Sequence, residues 1–187
     1  MAFIGLRHPV VATIDSYTPG SVPTYEDGMV MGAAITANLS ITRNDNPLYA
    51  DDVITEDDNG ITAMSLELGL DDLPETVQEY MLGVVEESDA YVDSDASSPE
   101  VGMGYIRVRR KGGVTSYQGV WLYKVRFSMN DENSQTKGES IEWQTPTVTG
   151  RVVGVDLDGS GVMVFRARQL FDNEADAIDW LETLADI

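Results

Sequence analysis

The sequence contains no cysteine and only one histidine, His8, among its 187 residues. Without thiols the chain cannot form a disulfide, a thiolate zinc site or a cysteine nucleophile. A Ser-His-Asp site would have to use His8, but this residue precedes Pro9 and no nucleophile motif flanks it. We therefore interpret His8 as structural or solvent-facing, and the sequence predicts no metal site and no cofactor.

Long apolar runs are also absent. No stretch of about 18 apolar residues occurs, so the sequence predicts no membrane-spanning helix and no membrane partner. The residues after Met1 lack the basic region followed by an apolar stretch that marks a secretory signal. We expect synthesis in the cytoplasm and, from the length, a single domain over residues 1–187.

Positive charge is missing from a long internal segment. Between Asn44 and Ile106 there are seventeen Asp or Glu residues and no Lys or Arg. The segment also contains Leu66, Leu68 and Val77 at strand and helix spacings, whereas disordered acidic segments have few apolar residues. We interpret it as the acidic surface of a folded protein. With a formal net charge of -20, the protein should repel nucleic acid and its own copies unless specific contacts overcome the repulsion.

Alternating apolar and polar residues predict two half-buried strands, Ile35–Ile41 and Thr62–Leu68. The segment between them, residues 43–60, is rich in Asn, Asp and Pro, and it is predicted to be a long loop. Residues 86–100 contain many serines and acidic residues and are predicted to be a second, flexible loop.

A long hairpin is predicted around Lys111-Gly112-Gly113, with strands Gly104–Arg110 and Val114–Ser128. Strict alternation along the second strand would place five residues on one face: Tyr117, Trp121, Tyr123, Val125 and Phe127. Further strands are predicted at residues 140–145, 147–155 and 162–168.

Two short helices are predicted. The first is capped by Asp72, with Glu75 three positions later, and ends at Gly83. The second begins after Asn173, and its apolar residues recur at helical spacing as far as Leu184. The predicted fold class is therefore mainly β: an antiparallel β-sandwich or partly closed barrel with two short α-helices.

Motifs for ligand binding are weak. Asp156-x-Asp158-x-Ser160-Gly161 matches the first half of a calcium loop, but position 12 is Ala167 instead of the bidentate Glu that such loops require. We interpret this segment as a β-turn. Pairs of carboxylates, which a glycoside hydrolase would need, discriminate nothing in a chain with thirty-two acidic residues.

Six basic residues lie on the predicted hairpin. Such a group binds either phosphate or the acidic face of another subunit, and the strongly negative net charge favours the second interpretation. The candidate inter-subunit contacts are Arg107, Arg109, Arg110, Lys111, Lys124 and Arg126.

Several separated stretches resemble the major tail tube proteins of phages with long, non-contractile tails, particularly phages of Gram-positive bacteria. The resemblance runs through most of the chain in the order of that family, and residues 86–100 and 155–162 match least. The similar stretches are Ile4–Val10, Leu48–Val53, Gly104–Arg109, Trp121–Lys124, Lys137–Glu142, Gln144–Thr147 and Ala177–Leu181.

The resemblance implies a structural virion protein with the tail-tube type of β-sandwich, and not an enzyme. Six copies would form a ring, with strands from all six joined in one inner barrel. Rings would stack around a tape-measure protein into a tube through which DNA is ejected without specific binding. Tail terminator and distal tail proteins would be further partners. The loop would reach the neighbouring ring through Leu48, Tyr49, Asp51, Asp52, Val53 and Ile54.

The strands that flank this loop carry the candidates for the inner surface of such a tube. An acidic lining would keep DNA from binding there, because binding depends largely on neutralised phosphates. The candidate lumen-facing residues are Thr36, Asn38, Ser40, Thr42, Ser65 and Glu67.

Two other functions remain open from the sequence. A surface or secreted carbohydrate-binding β-sandwich would use Trp121, Tyr123 or Tyr117 as stacking platforms. An acidic hydrolase would use two carboxylates in a cleft, one of them with a raised pKa.

Overall fold

The computed structural model describes residues 2–44, 46–50, 53–58, 60–88, 90–93, 97–130 and 145–187, and it leaves the side chains of residues 46–50 and 53–58 undescribed. The described chain contains fourteen strands and two helices. In chain order these are β1 Ala2–Ser16, β2 Thr24–Val30, β3 Ala34–Arg43, β4 Asn46–Ala50, β5 Val53–Asp58, β6 Ile61–Leu70, α1 Glu75–Leu82, β7 Val85–Glu87, β8 Ala90–Val92, β9 Glu100–Lys111, β10 Val114–Met129, β11 Thr147–Val152, β12 Val155–Asp156, β13 Met163–Val164, β14 Arg166–Phe171 and α2 Glu174–Ala185.

One large antiparallel sheet forms most of the protein. Its strands follow the order β2-β1-β9-β10-β11-β6-β3, and β14 pairs with the first half of β10. Strands β2 and β3 lie at opposite ends of this order, although only residues 31–33 connect them along the chain. The sheet therefore curves over its own face. No ladder joins β2 to β3 in the described ranges, so the structure is consistent with a β-sandwich and the partly closed barrel is not seen.

Strand β10 belongs to both halves of this sheet. Residues 117–122 pair with β14, whereas residues 125–129 pair with β11. Between Leu122 and Val125 the register against β9 shifts, which is the signature of a β-bulge. A shift of one residue moves the following side chains to the other face of the sheet.

This bulge corrects the prediction that five alternating residues of β10 share one face. Tyr117, Trp121 and Tyr123 pack with α2, whereas Val125 and Phe127 belong to the core between the two halves of the sheet. The alternation in the sequence is regular, but the backbone is not, and only the cross-strand register shows where the face changes.

Two hydrophobic clusters stabilise the fold. The larger fills the space inside the curved sheet, with Leu66, Leu68, Tyr105 and Phe127 almost fully buried, and α1 covers part of it. The smaller lies on the outer side of β1, β9 and β10, where α2 packs over Val10, Ala12, Ile106 and Trp121 through Ala177, Leu181 and Ala185. A helix this short is marginal in isolation, so the tertiary contacts stabilise α2.

The ends of the two helices agree in part with those predicted from the sequence. The side chain of Asn173 accepts a hydrogen bond from the Asp176 backbone N–H at 2.8 Å and caps α2 as predicted. For α1 the N-cap is Pro74, not Asp72, and it provides no side-chain hydrogen bond. The predicted stop at Gly83 is confirmed, since this residue has the left-handed conformation that glycine adopts most easily.

The later predicted strands are shifted or shortened. Of residues 140–145 the structure describes only Thr145, which is not in a strand, so that prediction lies outside the described residues. The predicted strand at 147–155 is divided into β11 and β12, and the one at 162–168 into β13 and β14. The turn at residues 157–162 is where predicted.

The contact between α2 and β2 leads to a stability prediction. A Cβ added to Gly28 would overlap the carbonyl oxygen of Ala185, which is backbone and cannot rotate away. We expect Gly28→Ala to lower the free energy of unfolding by about 1–3 kcal/mol, measured by urea denaturation. Gly5→Ala is the matched control, because its Cβ would meet Val108 at an ordinary 3.4 Å. Equal stability of the two variants would contradict this packing.

Candidate subunit-contact surfaces

Among the described strands, β3 is an open edge of the sheet. It is ten residues long and pairs only with β6 among the described strands. Ile35 and Ile41 are 52% and 37% exposed on it. Natural edge strands are usually protected by lysine, proline, a bulge or a short length, because their free N–H and C=O groups pair readily with another chain. From Ala34 to Thr42 the strand contains no charged residue and no proline.

The six predicted lumen-facing residues lie together on the outer side of β3 and β6. Asn38 is directly opposite Glu67, and Ser40 is opposite Ser65. In an antiparallel pair such residues point to the same face. All six are exposed except Ser65, which is half-buried. We call this surface the polar face; its predicted members are Thr36, Asn38, Ser40, Thr42, Ser65 and Glu67.

The polar face extends across β11 onto β10. One row of cross-strand neighbours consists of Glu67 on β6, Thr149 on β11 and Ser128 on β10. The row beside it consists of Ser65, Arg151 and Arg126 on the same three strands. Asn130 donates a hydrogen bond to Thr147 and accepts one from Thr149, which orders the next rows of polar groups. The result is a continuous polar surface over four strands.

The charge of this surface corrects the prediction of an acidic lining. Glu67 is joined by Glu100 at the β9 end, but Arg126 and Arg151 lie on the same face. Lys124 binds the carboxylate of Glu100 on this side as well. The described part of the polar face thus has two carboxylates, two guanidinium groups and one ammonium group, and it is not acidic.

The predicted long loop at residues 43–60 contains a β-hairpin. Strands β4 and β5 pair antiparallel, with Tyr49 opposite Ile54 and Ala50 opposite Val53. Tyr49, Val53 and Ile54, which suggested a docking loop, are of residue types that favour strands. This preference explains why a hairpin forms where a loop was predicted. Leu48 lies on β4 as well, whereas Asp51 and Asp52 fall outside the described residues.

The predicted flexible loop at residues 86–100 is also partly structured. Strands β7 and β8 form a small hairpin with Val85 opposite Val92 and Glu86 opposite Tyr91. Glu100 begins β9. Both strands of this hairpin are exposed along their whole length.

Two of the six predicted inter-subunit basic residues have partners inside the chain. Lys124 Nζ lies 2.6 Å from one oxygen of Glu100, and Arg126 Nη2 lies 3.0 Å from the other. These ion pairs form because β9 and β10 are neighbouring strands. A contact of the two residues with another subunit stays a prediction. Arg110 and Lys111 are exposed at the β9–β10 turn.

Arg107 and Arg109 belong to a larger cluster that the sequence analysis missed. Cross-strand pairing puts them on the same face of the sheet as Arg166 and Arg168 of β14. In one row, Arg107 of β9, Gln118 of β10 and Leu170 of β14 are neighbours. Two residues along β10, Val120 is opposite Arg168. The Arg-x-Arg alternation in β14 was the available signal. We call this surface the arginine face; its residues are Arg107, Arg109, Arg166 and Arg168.

The arginine face is both cationic and apolar. Partial burial lowers the pKa of the Arg166 guanidinium, and the positive charge of Arg168 lowers it further. Arg107 lies over the ring of Phe3, 3.6 Å from its centroid. Phe3 and Leu170 are 46% and 50% exposed. No Asp or Glu in the described ranges forms an ion pair with any of the four arginines.

The residues considered for other functions are placed differently. The ring of Trp121 is fully buried and contacts Tyr25 edge-on at 5.0 Å, so a sugar has no access to it. His8 lies in the bulge of β1 with Nε2 3.1 Å from Glu182 of α2. Asp156 accepts hydrogen bonds from the backbone N–H groups of Asp158, Gly159 and Gly161, which forms the predicted turn.

The grooves and the candidate metal-binding groups of the described residues were compared with the predicted sites. Two open grooves of about 400 and 550 Å³ border the Glu100, Lys124 and Arg126 ion pairs. In the described part of the chain no three His, Asp or Glu residues are grouped to hold a metal ion. Neither α1 nor α2 has the length and apolar character of a membrane-crossing helix.

Comparison with known proteins does not identify the chain. It matches no protein-family model, and no curated protein is significantly similar to it. The open edge, the polar face and the arginine face are therefore the features on which a functional interpretation depends.

Proposed function

We propose that this protein is the structural subunit of a phage tail tube. Six copies form a ring, and rings stack around a tape-measure protein into a conduit for DNA ejection. The tail terminator and distal tail proteins bind the assembled tube, and the protein resides in the virion tail. It has no catalytic role.

The observation that carries this proposal is the unprotected edge of β3. Among the described strands only β6 pairs with this strand, and an unpaired strand edge with exposed apolar side chains is a site for pairing with another chain. In a protein with a net charge of -20, a strand that is itself almost uncharged is also where copies approach each other with least repulsion. Pairing of β3 with a neighbour continues the sheet from one subunit to the next.

The polar face supports the same function. It lies on the outer side of β3 and β6, so extension of the sheet through β3 makes it one continuous polar surface over several subunits. Most of this surface consists of hydroxyl and amide groups, and Glu100 partly neutralises Lys124 and Arg126. The surface therefore offers little net attraction for phosphates, and binding to DNA depends on such attraction.

The carbohydrate-binding interpretation has less support. A stacking platform requires an exposed aromatic face, and Trp121 is completely buried under α2. Tyr117 and Tyr123 are half-buried beside the same cluster.

Electron microscopy of the concentrated protein tests the proposal. We expect hollow tubes with a regular ring repeat in negative stain, because each subunit carries the edge that recruits the next. A protein that remains monomeric at every concentration and salt condition would contradict the proposal. A glycan array is the matched measurement for the alternative, and selective binding of one glycan class would favour it.

A further inference from the structure

The hairpin formed by β7 and β8, which we call the acidic hairpin (residues 85–92), is exposed along both strands. Val85, Tyr91 and Val92 are 53%, 42% and 42% exposed, so apolar area faces solvent beside the carboxylates of Glu86 and Glu87. No Lys or Arg occurs between Asn44 and Ile106, so the hairpin has no cation nearby in sequence. Exposed apolar groups on a two-stranded hairpin indicate an interaction surface.

The acidic hairpin lies near the start of β9, and the arginine face extends along the strand away from it. At the base of the hairpin, a Cβ on Gly83 would lie 3.3 Å from Pro99, the residue that precedes β9. Arg107 and Arg109 are seven and nine residues further along that strand than Glu100, about 23–30 Å at 3.3 Å per residue. Arg166 and Arg168 are nearer, because β10 pairs them with the levels of Met103 and Tyr105.

The two surfaces are complementary in charge and in polarity. The arginine face offers guanidinium groups that form no ion pair with a described acidic residue, next to exposed Phe3 and Leu170. The acidic hairpin offers carboxylates next to Tyr91 and two valines. Guanidinium groups form bidentate hydrogen bonds with carboxylates and stack on aromatic rings, so each group on one surface has a suitable partner on the other.

We propose that the acidic hairpin of one copy binds the arginine face of a second copy. Because the two surfaces are made of different residues, a contact between copies is heterologous and repeats from molecule to molecule, as an open or ring-closing assembly requires. This inference rests on the proposed function and names one contact within the assembly. It also gives a role to four arginines that form no ion pair with the described acidic residues.

Charge reversal on each surface tests the contact. We expect Arg166→Glu/Arg168→Glu, and separately Glu86→Arg/Glu87→Arg, to raise the protein concentration at which assemblies appear by at least about tenfold, since like charges then face each other. Combining all four substitutions in one chain restores opposite charges and is expected to return this concentration towards that of the wild type. Sedimentation velocity and negative-stain microscopy provide the measurement, and circular dichroism shows that each variant is folded.

Control variants separate this contact from general charge effects. Asp172→Arg/Asp179→Arg makes the same charge change as the hairpin variant on exposed positions beside and on α2, and assembly is expected to persist. If the wild type assembles and either reversal leaves assembly unchanged, or if the fourfold variant fails to recover, the contact is wrong while the proposed function stands. If the wild type never assembles, the proposed function itself is wrong.

A nucleic-acid role for the arginine face is the other outcome of the same variants. Duplex DNA that binds the wild type at about 0.15 M salt, and loses binding in Arg166→Glu/Arg168→Glu, would overturn the protein contact. We expect no measurable binding by either protein.

Discussion

The double variant Ile35→Lys/Ile41→Lys is expected to remain a folded monomer and to form no tubes at concentrations where the wild type assembles. Both residues lie on β3 and are partly exposed, so lysine keeps its charged end in water without entering the core. Exposed substitutions of this kind cost about 0.5 kcal/mol or less of folding stability. A lysine on an edge strand nevertheless prevents pairing, because the charge would have to be buried against the neighbouring strand.

The charge of the new residues makes this experiment stringent. Each lysine adds a positive charge and makes the net charge of -20 less negative. Copies of the protein then repel each other less, which favours association. Loss of tubes would therefore be due to the blocked edge and not to electrostatic repulsion. Val162→Lys, in an exposed turn with the valine 65% exposed, adds one such charge away from β3 and is expected to assemble normally. Normal tubes from the double variant would show that β3 is not the subunit contact.

Replacement of Trp121 by alanine is expected to lower the free energy of unfolding by about 3–5 kcal/mol, the usual cost of removing a buried tryptophan. Its ring is fully buried between the sheet and α2, and it contacts Tyr25 edge-on. A Cβ added to Gly102 or Gly104 would lie 2.6 or 2.7 Å from this ring, so the two glycines make the space that the indole fills. The cavity left by alanine cannot close without moving two strands.

Trp180→Ala is the matched control for this measurement. Trp180 is half-buried on α2, with its ring centroid 5.9 Å from that of Phe171, so its removal should cost less, about 1–2 kcal/mol. Urea unfolding followed by far-ultraviolet circular dichroism compares the two variants without depending on tryptophan fluorescence. A Trp121 variant as stable as the Trp180 variant would contradict the packing of α2. Because α2 also contacts β1, β2 and β14, we expect the Trp121 variant to lose assembly together with stability.

The predictable parts of the fold were those set by local pattern. The alternation of Ile35 to Ile41 with Thr36 to Thr42 predicted β3 and its polar side, and the same period predicted β6. Lys111-Gly112-Gly113 predicted the β9–β10 turn, where both glycines have the positive φ that other residues avoid. Asn173 and Gly83 marked helix ends through hydrogen bonding and backbone conformation. In each case the cause is within a few residues of its effect.

The errors had non-local causes. Tyr123 and Val125 alternate in the sequence, but the bulge between Leu122 and Val125 puts them on opposite faces of β10. The sequence also did not show that Glu100 of the neighbouring strand pairs with Lys124 and Arg126. The arginine face depends on the pairing of β10 with β9 and β14 together, and those strands are far apart in the chain.

The sequence alone determined that this protein is mainly β and strongly acidic, with an almost uncharged β3. It also determined that the protein has no thiols and that one side of β3 is polar. These properties depend on residue type and on period, which are local quantities. Only the tertiary structure decided that basic residues lie on the polar face, that β3 is an edge among the described strands, and that Arg107, Arg109, Arg166 and Arg168 share one face. Each of these depends on which strands are neighbours, and strand order is set by packing between residues that the sequence separates by tens of positions.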